Sequence, residues 1–207
     1  IRLKLIALLM VLLPSLNADG KTTLIYAGEL LAVPGEQPLK NQTITIQDGI
    51  ITGIDAGFTS HDESQDITVI DLREAFVMPG LMDMHVHLQG ELGPENDRDA
   101  LKMSNQLVGM RTVHHGMKTL LAGFTTVRDV GSNSQYMYAY RDAINQGWVD
   151  GPRIIAAGGV GITGGHADVS GIKPELMEFY TDRSICDGPY DCRRAARDAI
   201  KYGADLI

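Results

Sequence analysis

The sequence predicts an α/β chain in two parts: part of a small β-sandwich domain over residues 19–78, then the first half of an eight-stranded β/α (TIM-type) barrel over residues 79–207. Three observations predict it. Short β-rich runs before Met78 include a strong hairpin signal centred on Asp48-Gly49. From Met82 onward, strand and helix patterns alternate, which argues for parallel strands with helices outside. The residues after Met78 amount to roughly half of the about 250 that an eightfold barrel takes.

In chain order, residues 1–18 stand apart. Arg2 and Lys4 precede the apolar run Leu5 to Leu13, and Leu16-Asn17-Ala18 offers small-residue cleavage. That is the pattern of a secretory signal peptide, and it implies a secreted or periplasmic protein. The run is too short for a bilayer, which needs about 20 apolar residues, and no other stretch is long or apolar enough to cross a membrane.

In the β region, strands are expected at Thr22 to Tyr26, Leu30 to Val33, Thr43 to Gln47, Ile50 to Ile54 and Ile67 to Ile70. Asp48-Gly49 supplies the positive φ angles of a two-residue turn. Ser60 to Asp66 is a polar loop in which His61 is expected to be solvated.

Pro79-Gly80 then punctuates the chain, and a strand follows to Leu88. Met103, Leu107, Met110, Met117 and Leu121 fall at helical spacing within a helix expected from Asp97 to Leu121. His114 and His115 lie on it about 100° apart, so they cannot both face one metal. Gly123 to Gly131 is a second strand, Ser134 to Gln146 a second helix, and Pro152 to Gly158 a third strand. Pro174 to Tyr180 is a short helical piece, Arg193 to Tyr202 a third helix, and Ala204 to Ile207 opens a fourth strand.

The composition is globular, with 44% hydrophobic residues among 207 and a net charge of −8. No basic patch with interleaved aromatics occurs, which argues against a nucleic-acid partner. Cys186 and Cys192 flank Asp187-Gly188-Pro189. They lack the spacing and the second pair of a zinc site. A disulfide and two buried free thiols both stay open, since spacing alone does not set the Cα separation a bridge requires.

The chemistry centres on Asp83-Met84-His85-Val86-His87. On a strand, Asp83, His85 and His87 share one face while Met82, Met84, Val86 and Leu88 share the other. Two imidazoles pointing the same way from a rigid backbone suit a divalent ion such as zinc. Two hydrogen-bonded core histidines are the plainer alternative, but the wholly apolar opposite face and the nearby acid favour metal. Asp129, at the end of the second strand, reads equally well as a catalytic group, as a partner of Arg128, or as a cap for the next segment.

Gly159 to Gly164 spells G-x-G-x-x-G after a strand, but no helix opens at its last glycines, so a dinucleotide site is rejected. A Gly-rich loop at a barrel mouth instead lets backbone approach a ligand, with His166 aimed at it. The competing reading of His166 is a loop-ordering hydrogen bond to Asp168.

Phe76 to His87, with Asp71-Leu72 ahead of it, resembles the amidohydrolase superfamily at its first barrel strand. Gly123 to Gly131 and Thr163 to Asp168 narrow the resemblance to the imidazolonepropionase-like branch, which includes Xaa-Pro-type dipeptidases. The resemblance implies that His85 and His87 are metal ligands for one or two divalent ions, Zn2+ foremost. It places a carboxylated lysine, two more histidines and a general-base aspartate on later strands, and Ala204 to Ile207 matches the run just before that lysine. It implies metal-assisted hydrolysis of a C–N bond in a dipeptide or small-molecule substrate, with His166 holding a substrate carboxylate.

The alternatives are imidazolonepropionase or another cyclic amidohydrolase, a lactonase or phosphotriesterase-like activity, and a non-catalytic metal-binding module. These 207 residues alone, a half-barrel, are expected to be inactive, and a homo-oligomer stays open.

Overall fold

Asp48 and Gly49 turn the chain back on itself with φ angles of 50° and 79°, the left-handed values a two-residue hairpin turn needs. They join β2 (Leu39–Gln47) to β3 (Ile50–Ala56), with Ile44 opposite Ile54 in the antiparallel ladder. β1 (Thr22–Leu30) pairs antiparallel with β2, and β4 (Ile67–Val77) runs parallel to β1. The sheet order is therefore β3-β2-β1-β4. Ala27, Leu30 and Ile44 form its buried core, with Ile25, Ile46 and Val77 packed against them.

The computed structural model describes residues 21–62, 66–91, 93, 99, 101–169, 171–180 and 184–207. The signal peptide expected at residues 1–18 lies outside the described residues, as do the middle of the Ser60 to Asp66 loop and most of the first stretch of the helix expected from Asp97. The chain divides into two compact units at Pro79–Gly80.

The break expected between Tyr26 and Leu30 does not occur, and no separate strand forms from Leu30 to Val33. Gly28 is the reason. A Cβ there would lie 2.0 Å from the Arg73 carbonyl oxygen, at the bulge where the β1–β4 register shifts between Ala27 and Glu29. The glycine admits a close backbone approach instead of making a turn.

In the second unit, β5 (Leu81–Val86), β6 (Phe124–Asp129) and β7 (Arg153–Ala156) form a parallel sheet in the order β5-β6-β7. Such parallel neighbours need crossovers, supplied by α1 (Asn105–Leu121) and α2 (Ser134–Asn145). Ser104 caps α1 by accepting a hydrogen bond from the Leu107 amide at 3.3 Å, and Asn133 caps α2 by accepting from Gln135 at 3.0 Å. The core is Leu88, Val127, Met137, Tyr138, Tyr140, Ile154 and Ala156.

The face of α1 that is buried is not the predicted one. Val108, Thr112 and Gly116 are buried, while Leu107, Met110 and Leu121 are 53%, 72% and 80% exposed. A Cβ at Gly116 would stand 2.3 Å from the Tyr140 ring, so this face is cut to receive α2.

Beyond β7, the short strands β8 (Gly161–Ile162) and β9 (Ile185–Cys186) pair in parallel, a ladder the sequence did not announce. A 3-10 helix covers Pro174–Phe179. The last helix, α3 (Gly188–Tyr202), starts well before the expected Arg193, because Pro189 suits the first helical turn. Leu206 makes a parallel bridge to Ala157, where a fourth strand begins. Cys186 and Cys192 are joined in a disulfide with Cα atoms 4.9 Å apart, which resolves the open alternative in favour of the bridge.

Candidate metal centre

Because β5, β6 and β7 are parallel, their C-terminal ends share one edge, and the histidines stand there. His85 and His87 project from the end of β5 with ring centroids 5.6 Å apart and planes inclined by 18°. Both are exposed, so the buried-core alternative does not apply. The acid upstream is tied to the strand itself: the Asp83 carboxylate accepts a hydrogen bond from the His85 amide at 2.9 Å.

Below His87 lies Gly131, where a Cβ would come within 2.2 Å of ring atoms Cε1 and Nε2. The missing side chain is the space the imidazole occupies.

Asp129 holds this corner together. Its side chain is buried, at 2% exposure. One carboxylate oxygen accepts from the Leu88 amide and the Ser132 hydroxyl, both at 2.7 Å. The other accepts from the amides of Gly131 at 3.2 Å and Ser132 at 2.9 Å. Of the readings open from the sequence, the cap is what the structure displays. Arg128 does not pair with Asp129 but donates to the Met84 carbonyl at 2.7 Å.

The turn after β5 is gripped from its other side as well. His115 reaches from α1 to the Leu88 carbonyl at 2.9 Å, and since a carbonyl only accepts, Nδ1 carries the proton. Its Nε2 lies 3.6 Å from Glu91. Glu91 also accepts from Lys118 at 2.8 Å, and that ammonium, with His115 behind it, holds the Glu91 carboxyl below the usual carboxylate range. A cleft of about 380 Å³ opens here, lined by Asp83, His87, Glu91, His115 and Lys118 among others. A second cleft, about 400 Å³, lies by Ser134, Tyr138 and Asp198 and holds none of the predicted site residues.

His166 sits on the loop after β8 and is exposed. The loop is ordered without it: Asp168 accepts from the Gly164 amide at 2.7 Å and from its neighbour Val169 at 2.9 Å. No hydrogen bond joins His166 to Asp168, and no hydrogen bond or ring contact joins it to His85 or His87, among the described residues. The G-x-G-x-x-G stretch enters β8 and a turn, not a helix.

Residues 76–207 match the amidohydrolase family profile. The chain belongs to the amidohydrolase family. An ochratoxinase from Aspergillus niger is 30% identical over 205 residues, covering 91% of this chain and 42% of the relative. A solved Xaa-Pro dipeptidase with methionine bound in its active site is 37% identical with a TM-score of 0.78, covering 90% of this chain and 46% of that one. The A. niger ochratoxinase structure is 28% identical with a TM-score of 0.72, over 90% of this chain and 46% of its own. The chain thus spans a little under half the length of these relatives, and its fold is that of the N-terminal part of an amidohydrolase barrel.

For a divalent ion, the amidohydrolase residues present supply a fitting start. Two imidazoles open to one side suit zinc and its neighbours. Among the described residues no cluster of three or more His, Cys, Asp or Glu is arranged to hold a metal. Asp129 does not extend the pair, because its two oxygens are already taken by four donors.

Proposed function

We propose that the protein to which this chain belongs is a metal-dependent hydrolase of C–N bonds, a dipeptidase-like amidohydrolase, secreted or periplasmic. The observation that carries the reading is the His85–His87 pair, parallel and exposed at the C-terminal edge of a parallel sheet, the edge where enzymes of this architecture do their chemistry. The 37% identity to the solved Xaa-Pro dipeptidase supports the substrate class. The disulfide supports an oxidising compartment.

In this reading His85 and His87 hold a divalent ion, Zn2+ in the simplest case. When bound, such an ion polarises a carbonyl and brings the pKa of its water to about 7. Gly131 leaves room for His87 to turn one ring nitrogen outward. His166 receives the substrate carboxylate, a charge-assisted contact that favours dipeptides with a free C-terminus.

The test is the full-length parent with His85→Ala and His87→Ala together. Metal content by elemental analysis and Xaa-Pro dipeptide turnover should fall together. Undiminished metal in the double variant would sink the assignment.

A further inference from the structure

We propose that Asp129 is a positioning residue for the His87 imidazole, and through it for the bound ion. This deepens the metal reading above and rests on it. The argument begins with what surrounds the carboxylate. An acid at 2% exposure is costly unless hydrogen-bonded donors compensate it, and four do so.

Those donors are not a random set. Leu88 directly follows His87, so its amide fixes the backbone from which the imidazole projects. Gly131 is the floor on which the ring lies, and its amide goes to the same carboxylate. Ser132 doubles the link, because its hydroxyl donates to Asp129 while accepting from the Gln89 amide at 3.1 Å. Gln89 returns the connection by accepting from the Asn133 amide at 2.6 Å. One side chain therefore sets the distance between the root of the imidazole and the surface that limits its rotation.

A proton-transfer role does not fit, since every oxygen of the group is engaged inside the protein. A merely structural role predicts lost stability and nothing more. Positioning predicts a change in how tightly the ion is held.

The experiment measures Zn2+ affinity by chelator competition, and the visible spectrum of bound Co2+, in the full-length protein and its Asp129→Asn variant. The amide replaces one acceptor with a donor that faces other donors. Removing a group that orients a metal ligand typically costs 10–100-fold in affinity. A loss of at least tenfold with an altered Co2+ spectrum is expected.

Tyr140→Phe is the control. It removes a buried hydroxyl that donates to the Asp150 carbonyl at 3.1 Å, near the start of β7, and should lower thermal stability while leaving Zn2+ affinity alone. If Asp129→Asn does not fold, Ser132→Ala decides, with a weaker but measurable loss of affinity expected. Wild-type affinity and spectrum in a folded Asp129→Asn, or wild-type affinity in Ser132→Ala if that variant must decide, overturns the proposal. If the His85→Ala, His87→Ala double variant still binds Zn2+ normally, the metal reading fails and takes this inference with it. If that variant loses Zn2+ while Asp129→Asn does not, only the positioning role is lost.

Discussion

The ring of His87 fills the space that a methyl group on residue 131 would need, with Cε1 and Nε2 each 2.2 Å from the Cβ position. Gly131→Ala should therefore displace the imidazole without unfolding the unit, because a side chain that is already exposed swings aside cheaply. Thermal stability should shift little while Zn2+ affinity of the full-length protein falls by about tenfold or more. An unchanged affinity would show that the cradle is irrelevant to binding.

His166 carries the substrate prediction. It is exposed on a loop that Asp168 orders by itself, so His166→Ala should leave loop structure and metal content intact. Turnover of dipeptides should fall far more than turnover of their C-terminal amides. Equal losses on both would contradict a carboxylate contact.

That same loop is anchored by covalent chemistry. The amides of Gly161 and Thr163 donate to the Ser184 and Cys186 carbonyls at 3.0 and 3.3 Å, and Cys186 is bonded to α3 through Cys192. Replacing both cysteines with alanine should cost about 2 kcal/mol by loop-closure reasoning for so short a ring. Hydrogen exchange at Gly161 and Thr163 should quicken more than exchange in β6. Equal changes everywhere would argue that the bridge acts globally.

Tyr140 offers a pH test. Burial, aided by the charge of Asp150, pushes its hydroxyl up to about 12, against about 10 in an unfolded chain. A raised pKa means the native state keeps its proton while the unfolded state releases it. Its contribution is thus fully present below pH 10 and is lost as pH rises toward about 12. Denaturant melts of Tyr140→Phe across that window should show a shallower decline than wild type. Parallel curves would contradict this.

Much of the architecture was legible because it is written in local patterns. Asp48-Gly49 announced its hairpin, and alternating strand and helix runs announced the parallel sheet. His85 and His87 were legible for the same reason, since i, i+2 on a strand is a local relation. α1 misled because it is apolar on two sides. Periodicity picked out Leu107, Met110 and Leu121, whereas the packed side is chosen by Tyr140 fitting over Gly116, a fact about another helix. Asp129 was ambiguous for a related reason, since a key partner, Leu88, lies in the turn after a different strand. The spacing of His114 and His115 does not reveal the bond of His115 to Leu88, because that bond depends on how α1 folds back.

The pairing of β5 with β6, through Leu81 and Phe124, has a consequence for the order in which the molecule assembles. The β2–β3 hairpin closes through two residues and can form within about 1–10 μs. β5 must wait until all of α1 has been traversed before its ladder returns any favourable contact, and such non-local closure is slow. Until then the Asp129 carboxylate and the Leu88 amide are apart, and His87 has no floor beneath it. A newly made chain therefore carries both imidazoles loose for a time, free to pick up stray ions. If the proposed site binds zinc, surplus zinc should slow refolding, because an ion bound to the unfolded state favours that state by mass action.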